Sequence, residues 1–316
     1  MMLPTVAVTG ATGFIGRRIV RALVDFGYGV RALARRAPVG EAAEQMKSVS
    51  WVVGSLDDRD ALTALVKNTV AVVHCAGAVK ALNRDAFLAV NRAGTRLLAE
   101  ITAAAPVPPR FILISSLAAR EPHLSAYAAS KRGGEQAVRA FQSILPAVIL
   151  RPPVVYGPGD LETLQVFKLA AKGIVLAPMV EGARASLVHV DDVAAAVMAA
   201  LGLDDVPTGP IEFDDGTPGA HSWAEIAAAA GAALGTNPRV IAVPAPILYL
   251  AGAAASLSAY LTRRPQVLSW GKVPELLHPD WVASRSNFPG YKPLWNLEKG
   301  FSDAISWYTS RGLLTS

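Results

Sequence analysis

Residues 5–20, TVAVTGATGFIGRRIV, hold a β-branched run, a glycine at every third position from 10 to 16, and the start of an amphipathic pattern. Thr5–Thr9 has the composition of a buried strand. Beyond it Ile15, Ile19, Ala22, Leu23 and Phe26 recur at i, i+4, i+7, i+8 and i+11, one face of a helix. Gly10, Gly13 and Gly16 therefore fall at a strand-to-helix turn. A lone glycine pattern is weak evidence. At this place the glycines allow a tight turn and close backbone approach, and the helix N-terminus offers N–H groups and partial positive charge to a pyrophosphate. The stretch predicts a dinucleotide cradle.

Outward from it, short apolar runs recur at 30–34, 49–53, 71–75, 111–115 and 147–150, mostly separated by segments with helical spacing. Such alternation predicts βαβ units and a Rossmann-type α/β fold, a doubly wound parallel sheet covered by helices. The rhythm breaks after Tyr156-Gly157-Pro158-Gly159, and the tail is helix-rich and rich in proline. The expected division is a dinucleotide-binding domain over 1–156 and 186–216, with a smaller, mostly helical substrate lobe over 157–185 and 217–316.

The 316 residues are 52% hydrophobic and 17% charged, which excludes a disordered chain. The net charge of +5 is scattered, without the basic stripe and interleaved aromatics of a nucleic-acid groove. Cys75 is the only cysteine, so no disulfide forms within the chain, in keeping with a cytoplasmic location. The five histidines show no metal-ligand spacing, and no metal site is expected. The N-terminus runs directly into the first strand, and no signal peptide is expected. The apolar run Ile247–Leu261 would be roughly 22 Å long as a helix, short of the ~30 Å hydrocarbon core. It is expected to be a buried helix lining an apolar pocket rather than a transmembrane span, with a membrane-surface contact as the alternative.

Two further stretches carry chemistry. At the end of the second strand, where a cofactor with a free ribose 2′-hydroxyl calls for an acid, Arg35 and Arg36 stand instead. Guanidinium groups suit a 2′-phosphate, so NADP(H) is expected over NAD(H). In Tyr127-Ala-Ala-Ser-Lys131 the phenol and the ammonium are four apart and share a helical face. The positive charge favours phenolate and lowers a pKa that starts near ~10, making Tyr127 a proton donor.

Together TGATGFIG (9–16), HCAG (74–77), NRAGTRLLAE (91–100), ISS (114–116), YAASK (127–131), RPPVVYGPGD (151–160) and LVHVDDVAAA (187–196) resemble the extended short-chain dehydrogenase/reductase family, also described as epimerase/dehydratase-like. The resemblance covers about the first 200 residues. It implies that Tyr127 is the general acid in carbonyl reduction, that Lys131 tunes it and holds the nicotinamide ribose, and that Ser116 donates to the substrate oxygen. Ser115 is expected to finish its strand, and Asn91 is left as structural or uncertain. Implied cofactor contacts are Gly10, Thr12, Gly13, Phe14, Ile15, Gly16, Arg35, Arg36, Ser55, Leu56, Ala76, Gly77, Ser115, Tyr127, Lys131, Pro152 and Val154. Ser55 departs from the aspartate common in relatives, leaving a serine hydroxyl or nearby Asp57 to hold the adenine amino group.

Three functions follow from the resemblance. The favoured one is an NADP(H)-dependent oxidoreductase acting on a carbonyl or secondary alcohol of an apolar small molecule. The alternatives are a nucleotide-sugar epimerase or dehydratase, and a non-catalytic NADP-binding sensor or assembly protein. Val154 where sugar epimerases commonly place asparagine, the short spacing from Ser116 to Tyr127 and the apolar tail favour the first. Arg184, near the place of a phosphate-binding arginine, speaks for the second. The resemblance leaves monomer and homodimer open.

Overall fold

A computed structural model describes residues 3–40, 44, 46–284 and 288–314. In chain order the first elements are β1 (Thr5–Thr9), α1 (Phe14–Asp25), β2 (Gly29–Ala34), β3 (Val49–Val53), α2 (Arg59–Val66), β4 (Ala71–His74), α3 (Arg84–Leu88), α4 (Thr95–Ala103), β5 (Arg110–Ile114), α5 (Ala126–Arg139) and β6 (Ala147–Arg151). There follow β7 (Val154–Tyr156), α6 (Leu164–Ala170), β8 (Ile174–Pro178), β9 (Arg184–Ala185), β10 (Leu187–His189), α7 (Val190–Leu201) and β11 (Ile211–Glu212). The last are β12 (His221–Ser222), α8 (Trp223–Leu234), β13 (Arg239–Val243), α9 (Ala245–Thr262), α10 (Val273–Leu276), β14 (Asp280–Trp281) and α11 (Leu297–Ser310).

The chain divides into two units: Met1–Arg151 with Ala194–Ile211 and Asn287–Tyr291, and Pro152–Val193 with Glu212–Ser286 and Lys292–Ser316. These bounds differ from the expected 1–156 and 186–216. After Arg151 the chain leaves the large sheet, and β7 pairs in parallel with β10 to make a separate two-stranded ribbon.

In the first unit the strands run in the order β11-β6-β5-β4-β1-β2-β3, and the ladders from β6 to β3 are parallel. This is the expected doubly wound sheet. The order reverses between β1 and β4, the place at which open α/β sheets bind ligands beside the carboxyl ends of their strands. Strands with both faces covered read as continuous apolar runs, and Val6, Ala7 and Val8 of β1 and Val72 of β4 are fully buried. Helix α1 buries Gly16, Ile19, Val20 and Leu23; of the expected stripe Ile19 and Leu23 are buried, and Ile15 and Ala22 are half-buried. Phe26 lies past its end, 72% exposed and stacked on Tyr28.

Between α3 and α4 the chain makes a π-helical turn, Ala89–Gly94. Helix α5 packs on this turn through a glycine pair. A Cβ on Gly134 would stand 2.4 Å from the carbonyl oxygen of Asn91, and one on Gly133 would stand 3.2 Å from the Arg92 side chain.

The second unit has its own core, in which Tyr156, Phe167, Phe301 and Tyr308 pack edge-on or tilted. β8 and β13 pair in parallel, and β12-β9-β14 form a small sheet. Helix α9 contradicts the expectation of burial. It is 18 residues long, and of them Gly252 alone is buried.

Candidate active site

The site begins where the sequence places it, at the β1–α1 turn. Gly10 has φ +73°, and a Cβ there would meet the backbone N of Ala76 at 2.6 Å. The loops after β1 and β4 thus touch backbone to backbone at the reversal point. A Cβ on Gly16 would fall 1.9 Å from the Gly10 oxygen. Gly13 caps α1, its N–H donating to the Gly10 carbonyl at 3.0 Å. Thr12 and Gly13 are exposed at the helix N-terminus, where Arg17 Nε donates to the Thr12 carbonyl at 2.9 Å. A turn that excludes side chains and presents a helix N-terminus fits a dinucleotide pyrophosphate.

From this turn a buried polar chain crosses the first unit. Thr9 Oγ1 lies 2.6 Å from His74 Nδ1, and His74 Nε2 lies 2.9 Å from Thr95 Oγ1. Thr95 donates to the carbonyl of Asn91 at 2.8 Å. Asn91 accepts from the N–H of Ala78 at 2.7 Å and donates to its carbonyl at 2.9 Å and to Ser130 Oγ at 2.8 Å. Ser130 donates to the carbonyl of Tyr127. His74 is fully buried, and that burial, with the charge of Lys131 adding to it, pushes its pKa down to about 3. Its imidazole is neutral and serves as a bridge between hydroxyls. Asn91, uncertain in the sequence, fixes the loop after β4 at Ala78, next to Gly77, and joins it to α5 through Ser130. The signal for it lay in NRAGT: an asparagine four before a threonine puts both on one helical face.

Tyr127 and Lys131 lie one turn apart on α5, which Ser125 caps by accepting from the N–H of Ala128 at 3.0 Å. Both are half-buried. Phe87 meets the Tyr127 ring edge-on at 6.0 Å. Lys131 Nζ donates to the carbonyl of Ile114 at 2.7 Å, which ties α5 to the end of β5. A Cβ on Gly77 would lie 3.6 Å from that ammonium, so the Gly77 backbone passes close to it. Burial pushes the lysine pKa down to about 8 against the opposing pull of Cys75 and Glu135. Ser116 follows on β5, half-buried, its Oγ accepting from Ala118 N–H at 3.2 Å. Its own hydroxyl hydrogen can point elsewhere.

Ser115 does more than finish β5. It donates to Glu135 Oε1 at 2.6 Å, and Glu135 also receives a bidentate pair from Arg151, Nε to Oε1 and Nη2 to Oε2, at 2.8 Å each. All three side chains are buried. Sequence reading missed this cluster, because nothing in local spacing connects positions 115, 135 and 151. In the loop after β3, Ser55 donates to Asp57 in a short hydrogen bond, and that bond holds the Asp57 carboxyl below its usual range. Both adenine anchors suggested by sequence keep acceptor lone pairs, and the carboxylate charge lies on Asp57. Leu56 packs against Gly94. Arg35 and Arg36 follow β2 and are exposed. Phe14 and Ile15 open α1 half-buried, and Ala76 is half-buried after β4. Pro152 and Val154 fall in the second unit.

Arg184, also in the second unit, points its guanidinium at its own backbone. Nε donates to the Gly219 carbonyl, and Nη2 donates to that of Ala220 at 2.6 Å and to Glu225 Oε2 at 3.2 Å.

A doubly wound sheet, a glycine cradle at the β1/β4 reversal and a Tyr-x-x-x-Lys helix define a nicotinamide-dependent enzyme class. The model of the NAD dependent epimerase/dehydratase family matches residues 6–211, and the chain belongs to that family. Over 310 residues it is 43% identical to a ceramide reductase of Caulobacter vibrioides, covering 98% of this chain and 96% of that one. It is also 30% identical to a UDP-glucose 4-epimerase of Vibrio cholerae over 200 residues, 55% of this chain and 59% of that one. Among solved structures, gox2253 matches with a TM-score of 0.77 and 22% identity over 99% of each chain. MoeE5 in complex with UDP-glucuronic acid and NAD matches with a TM-score of 0.68 and 22% identity, over 98% of this chain and 100% of that one. At such identities the structures bear on the fold.

Proposed function

We propose that the protein is an NADP(H)-dependent reductase that interconverts a carbonyl and a secondary alcohol on a long-chain lipid of the ceramide type. Bound NADPH would supply the hydride. Tyr127 then gives its phenolic proton to the substrate oxygen as the carbon is reduced, with Ser116 donating a hydrogen bond to the same oxygen. Lys131 keeps a positive charge one turn from the phenol and favours the phenolate left behind. Asp57 and Arg35 serve the adenosine end, as carboxylate acceptor and 2′-phosphate partner.

The observation that carries the chemistry is Lys131, anchored to Ile114 with its pKa brought down to about 8. A half-buried lysine fixed at the end of β5, one helical turn from a tyrosine, supports reading the two as a catalytic pair. The substrate class is supported by the near full-length similarity to a protein named ceramide reductase. The Arg184 guanidinium is engaged by the carbonyls of Gly219 and Ala220 and by the Glu225 carboxylate of its own unit, which argues against a nucleotide-sugar phosphate there. The second unit also holds an apolar cavity of about 420 Å³, lined among others by Met179, Val180, Trp223 and Val240.

The test is NADPH oxidation with a long-chain keto-amide lipid, compared with short ketones and with a UDP-sugar control. Lipid-dependent oxidation is expected. A UDP-sugar epimerised without net loss of NADPH would overturn the reading. Arg35→Ser should raise the NADPH KM about tenfold and leave that for NADH nearly unchanged, as loss of a charge-assisted phosphate contact requires.

A further inference from the structure

Helix α9 has its polarity turned outward. Ile247, Leu250, Ala254, Leu257 and Leu261 recur at three- and four-residue steps and form one exposed stripe, with Leu250 and Leu261 each about 70% open (72% and 71%). The stripe is roughly 21 Å long at the helical rise. A helix at an aqueous surface puts charged and polar residues on that side, yet α9 contains no Asp, Glu, Lys or Arg.

The other flank of the helix is held by its own chain. Gly252 packs on the carbonyl of Ser269 and on Val273, Ser256 Oγ accepts from Trp270 N–H at 3.0 Å, and the Tyr249 and Trp270 rings meet at 4.7 Å. Lipid could therefore reach one side only, and a helix pinned in this way lies in a surface plane rather than crossing a bilayer. The chain that flanks it is basic. From 226 to 274 the sequence has no acidic residue and carries Arg239, Arg263, Arg264 and Lys272, the last paired with Glu275. Arg263 and Arg264 follow directly on the helix and are exposed, and Tyr260 and Trp270 are exposed beside the stripe.

From the exposed stripe, the covered opposite flank and the basic flanking chain, we infer that α9 docks the protein on an anionic lipid bilayer, its apolar face entering the acyl boundary. Leucine and isoleucine side chains supply the insertion, aromatic residues sit at the headgroup level, and the arginines meet anionic phosphate. The inference uses no catalytic residue and stands whether or not the reductase reading does.

The experiment is co-sedimentation of the full chain with vesicles of phosphatidylcholine alone and with a third phosphatidylglycerol, at physiological salt. Retention by the anionic vesicles is expected, with release by alkaline carbonate. Leu250→Glu/Leu257→Glu should weaken retention about tenfold or more while the melting temperature and NADPH binding are unchanged. Arg263→Ser/Arg264→Ser, which leaves the apolar stripe intact, should also weaken it about tenfold, and specifically for the anionic vesicles. Three results overturn the inference: wild-type protein that stays in the supernatant with both vesicles, resistance to carbonate, or a wild-type dimer that ignores vesicles and becomes monomeric with the two glutamates. The last would assign the stripe to a second copy of the chain.

Discussion

The polar chain of the first unit and helix α9 of the second reverse the usual placement of side chains in opposite senses. Thr9, His74, Thr95, Asn91 and Ser130 are polar and buried. Ile247, Leu250, Leu257 and Leu261 are apolar and exposed. Scattered exposed leucines need no explanation, but a buried polar network or a continuous exposed apolar stripe does. The buried chain answers its own cost, since each member pairs with the next. It is specific because a half-satisfied network is worse than none. The stripe has no such answer within the chain. One inversion is closed and serves geometry, and the other is open and calls for a neighbour.

Four substitutions test that contrast. The largest effect belongs to the group that the closed network positions. Tyr127→Phe should lower kcat about 10²–10⁴-fold with NADPH affinity preserved, measured by steady-state kinetics and fluorescence titration. Undiminished turnover would separate the network from the chemistry. Next, Asn91→Leu keeps volume but leaves the Ala78 N–H and carbonyl without their side-chain partner and removes one donor from Ser130. It should cost on the order of 3 kcal/mol, read as a shift of the urea midpoint.

His74 gives an effect that is smaller per pH unit and spread over pH. Its folded pKa is lowered from 6.5 to about 3, so its contribution is complete above about pH 6.5 and is lost as pH falls toward 3. His74→Gln should reduce the acid slope of stability by up to about 1.4 kcal/mol per pH unit in that window. Parallel slopes for the two proteins would mean that the imidazole is charged when folded. The smallest effect lies on the open side. Leu257→Ser should change stability by no more than about 0.5 kcal/mol, because Leu257 is exposed among the described residues. A loss of several kcal/mol would show that the helix is covered in solution.

The same contrast separates what could be read in the sequence from what could not. The glycine cradle was legible because Gly10 and Gly16 meet backbone, which leaves one residue type possible at each. Tyr127 and Lys131 were legible because helical spacing alone puts them on one face. The strand alternation predicted the parallel sheet, whereas the order of its strands came from the structure alone. The Ser115–Glu135–Arg151 cluster was not legible, because its members come together only when β5, α5 and β6 pack. Helix α9 was misread because an apolar run records that water is avoided and not what replaces it. The absence of acids from 226 to 274 was the available clue, and it becomes visible only when charge is counted over a window much wider than the helix.

The glycine pair on α5 limits how far this enzyme can drift. With the carbonyl of Asn91 only 2.4 Å from where a Cβ of Gly134 would stand, any side chain there must push α5 away from the π turn. Tyr127 and Lys131 ride on that helix, and a displacement of about 1 Å at a reacting group can cost about a hundredfold in rate. Position 134 thus works as a spacer of zero thickness: even a single methyl group, harmless to the helix itself, would be felt two turns away in the placement of Tyr127, the proposed proton donor.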